Sequence, residues 1–378
     1  MARFLDLPDE LLDMIVNYLL RVDEEARLWS PWLTIPRPSH RQPERRKDLS
    51  QLVKTCKRFH NIYQGLLYTD IAIYNSELQI PRFLNTIGKS PALAERTLSV
   101  LTISPNLKDT IRLFNLLNLK ALELTNFREW QFSVPDPRLY HTSSVKHLYL
   151  PNCSAVEARL TDTLSYPAAL KLLDYEYEFH KYDLLNEDMR RESWTSEPLL
   201  RVLSSQRATL ERLSFTRTKR VAAETLTSPA IDLPEYTALK TLSIAWAILQ
   251  AGHRQHCHHR MPPLLEHLRV LYDGGTHDDR HVLDENWAWL KGLLQHKTSL
   301  STLRKIDIFS TEVPYVEDDP DYDYENGYPG PGCDIATVAQ LEAAKAWSLP
   351  VDVVGMAADA GIELTVTLGH GVSVQKPL

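Results

Sequence analysis

The chain has 378 residues, 43% of them hydrophobic and 24% charged, with a formal net charge of −7. This is the balance of a globular protein with room for a small module and one large domain. The acidic excess argues against a nucleic-acid binder, which carries a basic footprint. The four cysteines, Cys56, Cys153, Cys257 and Cys333, stand far apart, so neither a disulfide framework nor a Cys-x-x-Cys metal knuckle is expected. Acidic residues come too early for a secretory signal, and no apolar run approaches the length of a membrane span. A chain of the cytoplasm, the nucleus or both is expected, with no membrane partner.

A helix is predicted first, from Leu7 to Leu19. Pro8 suits a first helical position, where its missing N–H is no loss. Asp9 and Glu10 follow in the first turn, against the positive end of the helix dipole. Leu11, Ile15 and Leu19 recur at four-residue spacing on one face, with Leu12 and Val16 beside them. Residues 21–47 then break the pattern. Five basic residues and three prolines between Pro36 and Lys47 read as a solvated loop. A second helical stripe carries Leu49, Leu52, Val53, Cys56, Phe59, Tyr63 and Leu66, while Lys54, Lys57 and Arg58 face away. Two short amphipathic helices make a marginal core by themselves. They can close it as the N-terminal cap of a larger domain or by docking a partner.

The run Leu7-Pro8-Asp9-Glu10-Leu11-Leu12, followed by Leu52-Val53-Lys54-Thr55-Cys56-Lys57-Arg58-Phe59, resembles an F-box, the helical module that docks on the Skp-type adaptor of SCF ubiquitin ligases. The long 21–47 insertion departs from the usual short connection; such insertions cost little, because loop-closure entropy grows only logarithmically with length. The resemblance implies an all-helical module over residues 1–70 whose adaptor contacts are Leu7, Pro8, Leu11, Leu12, Ile15, Leu19, Leu52, Cys56 and Phe59.

From residue 98 a second pattern recurs, with apolar residues at the first, fourth and sixth positions. It runs Leu98-Leu101-Ile103, Leu119-Leu122-Leu124, Val145-Leu148-Leu150, Leu170-Leu173-Tyr175, Leu210-Leu213-Phe215, Leu239-Leu242-Ile244, Leu265-Leu268-Val270 and Leu303-Ile306-Ile308. Successive starts lie 21 to 40 residues apart, and Ile362-Glu363-Leu364-Thr365-Val366 repeats the end of the template. Asn106 and Cys153 occupy the ninth position of the first and third units. The series resembles degenerate leucine-rich repeats, and the whole chain resembles fungal-type F-box proteins that carry them. The expected fold is α/β: capping helix and solenoid over 71–378, parallel strands on the concave face and helices on the convex face. The spacers Asp109–Leu117, Pro198–Ser204, Asn286–Gln295 and Thr337–Trp347 carry helical spacing, and Leu78–Ile87 reads as the capping helix. The competing expectation is a generic α/β domain of alternating strands and helices.

Within each strand the apolar pair points inward and the residues beside it point outward. That places Glu123, Thr125, His147, Tyr149, Asp174 and Glu176 on the early half of the concave face. Arg212, Ser214, His267, Arg269, Lys305, Asp307 and Phe309 fall on the later half. These are the expected substrate contacts, acidic early and basic late, with Tyr149 and Phe309 as anchors.

Two segments invite chemistry. His253-Arg254-Gln255-His256-Cys257-His258-His259 offers zinc-type ligands, but adjacent residues do not converge easily on one tetrahedral site, so a polar loop is expected. Glu317 to Gly332 alternates acid with tyrosine, yet lacks the calcium-loop order, and its Pro, Gly and repelling charges suggest a mobile insertion. Trp287 and Trp289 read as packing residues. No nucleophile elbow, phosphate loop or His-Glu-x-x-His is present. The expectation is a non-catalytic substrate receptor without cofactor or metal. It binds the Skp adaptor and, through it, a cullin-RING ligase, and presents an unidentified target protein. An interaction scaffold without ligase function and a metal enzyme built on the His loop are the alternatives.

Overall fold

The computed structural model describes residues 8, 12, 50–51, 53–55, 57–73, 76–103, 107–127, 136–153, 155, 157–177, 196–217, 231–250, 257–272, 287–310, 322–323, 328–329, 338–368 and 372–373. It is α/β, built from parallel strands alternating with helical segments, and it divides into two compact units. The first comprises Met1–Pro151 with Tyr166–Ala169, the second Asn152–Ser165 with Leu170–Leu378.

In the first unit the helix α1 (Lys57–Leu67) leads into a strand, β1 (Asp70–Ile73), and then into α2 (Ser76–Lys89) and α3 (Pro91–Arg96). Next come β2 (Ser99–Ile103), α4 (Leu107–Phe114), β3 (Ala121–Thr125) and β4 (His147–Cys153). The four strands pair in parallel in chain order. The expected capping helix Leu78–Ile87 lies inside α2, which buries Ile80, Leu84 and Ile87.

The first repeat is one residue out of phase with its expected template. Val100 pairs with Leu122 and Thr102 with Leu124, so Val100 and Thr102 take the core positions and both are fully buried. Leu101 instead lines up with Glu123 and Tyr149, and Leu98 is 42% exposed. The sequence Ser99-Val-Leu-Thr-Ile103 has no strict alternation, so hydrogen bonding to β3 decides its register. Thr97 fills the place assigned to Leu98; its hydroxyl donates to the Leu93 carbonyl at 3.0 Å, which removes the cost of burying it. The same register puts Ile71 and Ile73 beside Val100 and Thr102, a strand the template did not find.

The second unit runs α5 (Glu157–Ser165), β5 (Leu172–Tyr177), α6 (Ser196–Leu203), β6 (Arg212–Arg217), β7 (Thr241–Ala245) and α7 (Trp246–Gln250). It continues with β8 (His267–Tyr272), α8 (Ala288–Gln295), β9 (Lys305–Ser310) and a two-residue antiparallel pair, β10 (Tyr322–Asp323) with β11 (Tyr328–Pro329). Then come α9 (Val338–Ala346), α10 (Val351–Asp359), β12 (Glu363–Leu368) and β13 (Val372–Ser373). Six strands, β5 to β9 and β12, pair in parallel, and β13 turns back antiparallel on β12. Three of the expected spacer helices fall within two residues of α6, α8 and α9, and α4 begins two residues before the fourth. The helices α3, α5, α7 and α10 were not anticipated.

Two apolar rows cross this unit. Leu173, Leu213, Leu242, Leu268, Ile306 and Leu364 form one; Tyr175, Phe215, Ile244, Val270, Ile308 and Val366 form the other. All are buried, Leu364 the least at 7%. Aromatic packing continues behind them. Trp246 stacks on Tyr272 at 4.8 Å and meets Trp289 at 5.0 Å, and the Trp289 Nε1–H donates to the Tyr272 hydroxyl at 3.2 Å. Trp287 and Trp289 are both packed inside, as expected.

Register is held at the strand starts by the main chain. At seven steps from strand to strand, one carbonyl before a strand accepts two N–H groups from the start of the next. Thr69 serves Leu98 and Ser99, Leu98 serves Lys120 and Ala121, and Lys120 serves Lys146 and His147. In the second unit Lys171 serves Glu211 and Arg212, Glu211 serves Lys240 and Thr241, Lys240 serves Glu266 and His267, and Glu266 serves Arg304 and Lys305. At the strand ends, Asn126 and Asn152 adopt left-handed φ of 53° and 54° and turn the chain. The ninth-position residues Phe127 and Cys153 then point into the core. A left-handed Gly361 (φ 63°) closes α10: its N–H reaches the Ala358 carbonyl and the Ile362 N–H reaches that of Ala357, a helix stop that delivers the chain into β12.

Candidate functional site

In the second unit the residues that alternate with the apolar rows form three further lines. Asp174, Ser214, Ser243, Arg269, Asp307 and Thr365 are register partners across six strands. Before them run Leu172, Arg212, Thr241, His267, Lys305 and Glu363; after them run Glu176, Thr216, the neighbours Ala245, Leu271 and Phe309, and Thr367. Neighbouring strands lie about 4.8 Å apart, so register partners are within reach of one another.

Charges converge at the β8–β9–β12 end. Asp307 is 4% exposed. Its Oδ2 lies 2.7 Å from His267 Nε2 and 3.5 Å from Arg269 Nη2, and its Oδ1 lies 3.5 Å from Lys305 Nζ. Lys305 also reaches Glu363 Oε1 at 3.2 Å. Burial opposes the Asp307 charge, but the His267 hydrogen bond and the Lys305 and Arg269 charges outweigh it and hold the carboxyl below its ordinary range. Arg269 shows the reverse balance: burial depresses its pKa and Asp307 offsets that only in part. The guanidinium carbon sits 4.5 Å from the centre of the Phe309 ring, a cation–π contact. The Arg269 Nε and Nη1 are buried and have no hydrogen-bond partner among the described residues, and the same holds for the hydroxyl of its register neighbour Ser243. Chemically this is a donor-rich patch, suited to holding an acceptor.

The expected substrate residues therefore stand in rows, as alternation required, but most are not displayed to solvent. Glu123, Tyr149, Asp174, Ser214, Arg269, Asp307 and Phe309 are buried. Thr125, His147, Glu176, His267 and Lys305 are half-buried, and Arg212 is exposed. Outward from the core did not mean free, because the cross-strand spacing lets these side chains pair with one another. The late half is accordingly not a plain basic surface: Asp307 and Glu363 neutralise much of it. Ser243, Glu363 and Thr365 belong to the same rows and were not singled out. The alternation that marks Leu242 and Ile244 as core already marks Ser243 as their opposite.

Of the expected adaptor contacts, Leu7, Leu11, Ile15, Leu19, Leu52 and Cys56 lie outside the described residues. Pro8 is exposed and its carbonyl accepts the Leu12 N–H at 3.2 Å. Leu12 and Phe59 are each 1% exposed, and Phe59 stacks on Tyr63 at 6.0 Å. These two side chains are engaged by the chain's own packing, which leaves Pro8 as the exposed member of the set among the described residues.

In the His loop, residues 253–256 lie outside the described residues. Cys257–Arg260 form a 3₁₀ turn, and the His259 and His296 rings are 6.3 Å apart. Among the described residues no group of three or more His, Cys, Asp or Glu gathers in a metal-binding arrangement, and no helix is long and apolar enough to cross a membrane. Of the acidic insertion, the described parts are β10 and β11, which pair as Tyr322 with Pro329 and Asp323 with Tyr328. Comparison with known protein families and with curated proteins finds no match to this chain.

Proposed function

We propose that this chain is a non-catalytic substrate receptor of an SCF-type cullin-RING ubiquitin ligase. Its N-terminal helical segment acts as the F-box that docks on a Skp-type adaptor. Its parallel α/β array acts as a solenoid of degenerate leucine-rich repeats that holds a target protein. The observation that carries the reading is the continuation of one register through the strands of each unit, behind an N-terminal motif of F-box order. Aligned strands of this kind suit an extended binding surface rather than a single pocket. Catalysis is then by proximity: the receptor raises the effective concentration of a target lysine, and no residue of this chain makes or breaks a bond.

The test is co-purification of the full chain with a Skp-type adaptor, followed by ubiquitylation of whatever the chain retains. Leu11→Ala with Ile15→Ala should lower adaptor affinity on the order of a hundredfold, since burying each side chain is worth about 1.5–3 kcal/mol. Unchanged adaptor binding by that variant overturns the F-box assignment. Adaptor binding without ubiquitylation of any retained protein favours a scaffold.

A further inference from the structure

Arg269 is anomalous for a buried arginine. Its side chain is 10% exposed, yet its one ion-pair contact among the described residues, to Asp307 Oδ2, is long at 3.5 Å. Asp307 is already engaged by His267 at 2.7 Å. Guanidinium groups taken out of water ordinarily satisfy their donors, because each unmet one carries a desolvation cost. Here Nε and Nη1 are unmet. On the other side of Arg269 the register places Ser243 and then Ser214, two small residues with no charge to offer. The Ser243 hydroxyl is itself buried and unmet. Three orphaned polar atoms thus sit on adjacent strands, in one row, next to a cation that burial disfavours.

We propose that Arg269 and Ser243 form an anchor for an oxyanion carried by a side chain of the partner protein. The planar guanidinium is the side chain best matched to a carboxylate or phosphate. Phe309 supports one face of it, while Asp307 fixes its inner edge without saturating it. An oxyanion entering on the β7 side accepts from Arg269 and from the Ser243 hydroxyl, and so meets donors that are buried and unmet in the free protein. The inference deepens the receptor reading: it rests on this sheet face being the partner surface, and it names the chemistry that surface takes.

The experiment is thermal unfolding of the full chain, at fixed ionic strength set with sodium chloride. The protein is titrated with three capped residues: N-acetyl-aspartate amide, N-acetyl-phosphoserine amide and N-acetyl-asparagine amide. The anionic probes should raise the midpoint of the wild type in a saturable way, and the asparagine probe should not. The stronger of the aspartate and phosphoserine arms identifies the carboxylate or the phosphate source. Arg269→Met should keep the fold near wild-type stability, because it removes an incompletely paired buried charge while His267 and Lys305 still face Asp307. It should also weaken the response to the anionic probes about tenfold or more. Arg269→Lys, which keeps the charge and loses the fork, and Ser243→Ala should each weaken it by a smaller factor. A merely structural arginine predicts the opposite pattern: loss of stability in Arg269→Met and no anion response in the wild type. Absence of any anion-specific shift, as when a buried water alone meets these donors, overturns the proposal, as does an undiminished shift in both Arg269 variants. Adaptor binding is not involved in this readout, so failure here leaves the F-box assignment standing, and failure of that assignment leaves the anchor testable.

Discussion

Gln206 offers the sharpest energetic test of how the second unit closes. It is 1% exposed, at the end of the helical segment that follows α6. Its Oε1 accepts the Leu170 N–H at 2.9 Å and the Thr209 hydroxyl at 3.2 Å, and its Nε2 donates to the Leu164 carbonyl at 2.8 Å. One amide thus ties the end of α5 to the entry of β5. Gln206→Ala removes both ties. The Leu164 carbonyl keeps a weaker partner in the Ser205 hydroxyl at 3.3 Å, but the Leu170 N–H is left buried with none. An orphaned buried group costs about 1–3 kcal/mol. With the lost packing, the expected destabilisation is about 2–4 kcal/mol. Urea unfolding followed by circular dichroism reads this as a lower midpoint at unchanged slope. Gln206→Glu sharpens the test. A neutral carboxyl can still donate to Leu164 and accept from Leu170, whereas a charged one is buried without a cation. Burial raises its native pKa above the unfolded value, so stability should be nearly retained below about pH 4 and should fall as pH rises towards the raised native value. A cost below about 0.5 kcal/mol for Gln206→Ala, or a pH-independent Gln206→Glu, would refute the reasoning and show that water or backbone movement replaces the side chain.

Asp307 has its carboxyl held below the unfolded value of 3.8, so its contribution is fully present above that value and is lost as pH falls through the lower native one. Asp307→Asn should therefore cost about 1–3 kcal/mol at pH 7, with the gap to wild type closing on acidification below about pH 4 in urea titrations. Leu268→Ala, in a fully buried row, should cost about 2–5 kcal/mol by the same assay. The two-point Arg201–Glu157 pair joining α6 to α5 has its arginine side chain 58% exposed, so Arg201→Ala should cost at most about 1 kcal/mol and less at high salt. Arg212→Glu, at the exposed row position, should slow association with a captured partner while leaving adaptor binding and stability unchanged, as stopped-flow rates at two salt concentrations would show.

Much of the architecture was legible because the period of the apolar pairs is a direct imprint of strands stacked in register. Seven of the eight template matches fall where the strands are. The eighth failed by one residue because Ser99–Ile103 is apolar at both parities and Thr97 hides as a polar residue whose hydroxyl is met locally. β1 escaped because it ends in Ile71-Ala72-Ile73, too short a signal to separate from the helix before it. Helices α5 and α10 carry Thr, Ser and Asp or small Ala and Gly where a strong apolar stripe was sought, and α3 and α7 are little more than one turn. At the candidate site, alternation assigned the rows correctly, but exposure depended on who stands opposite whom. That Asp307 meets three basic side chains from β8 and β9 follows from inter-strand register, which no single strand encodes.

The carbonyl relay at the strand starts has a consequence for how such a chain can change over time. Its acceptors are Thr69, Leu98, Lys120, Lys171, Glu211, Lys240, Glu266 and, for the Glu363 N–H, Arg304. Six of the eight are charged, of both signs, and Thr69 and Leu98 are not, because the work is done by a group every residue owns. Selection at these sites need exclude little beyond proline, which cannot supply the N–H that Leu98, Lys120, Glu211, Lys240, Glu266 and Arg304 each give in turn. Descendants of one ancestor can therefore drift apart in letters at the very positions that keep them in step, and can lengthen the intervals between strands without losing count. A lineage built this way keeps its architecture while shedding its recognisable text.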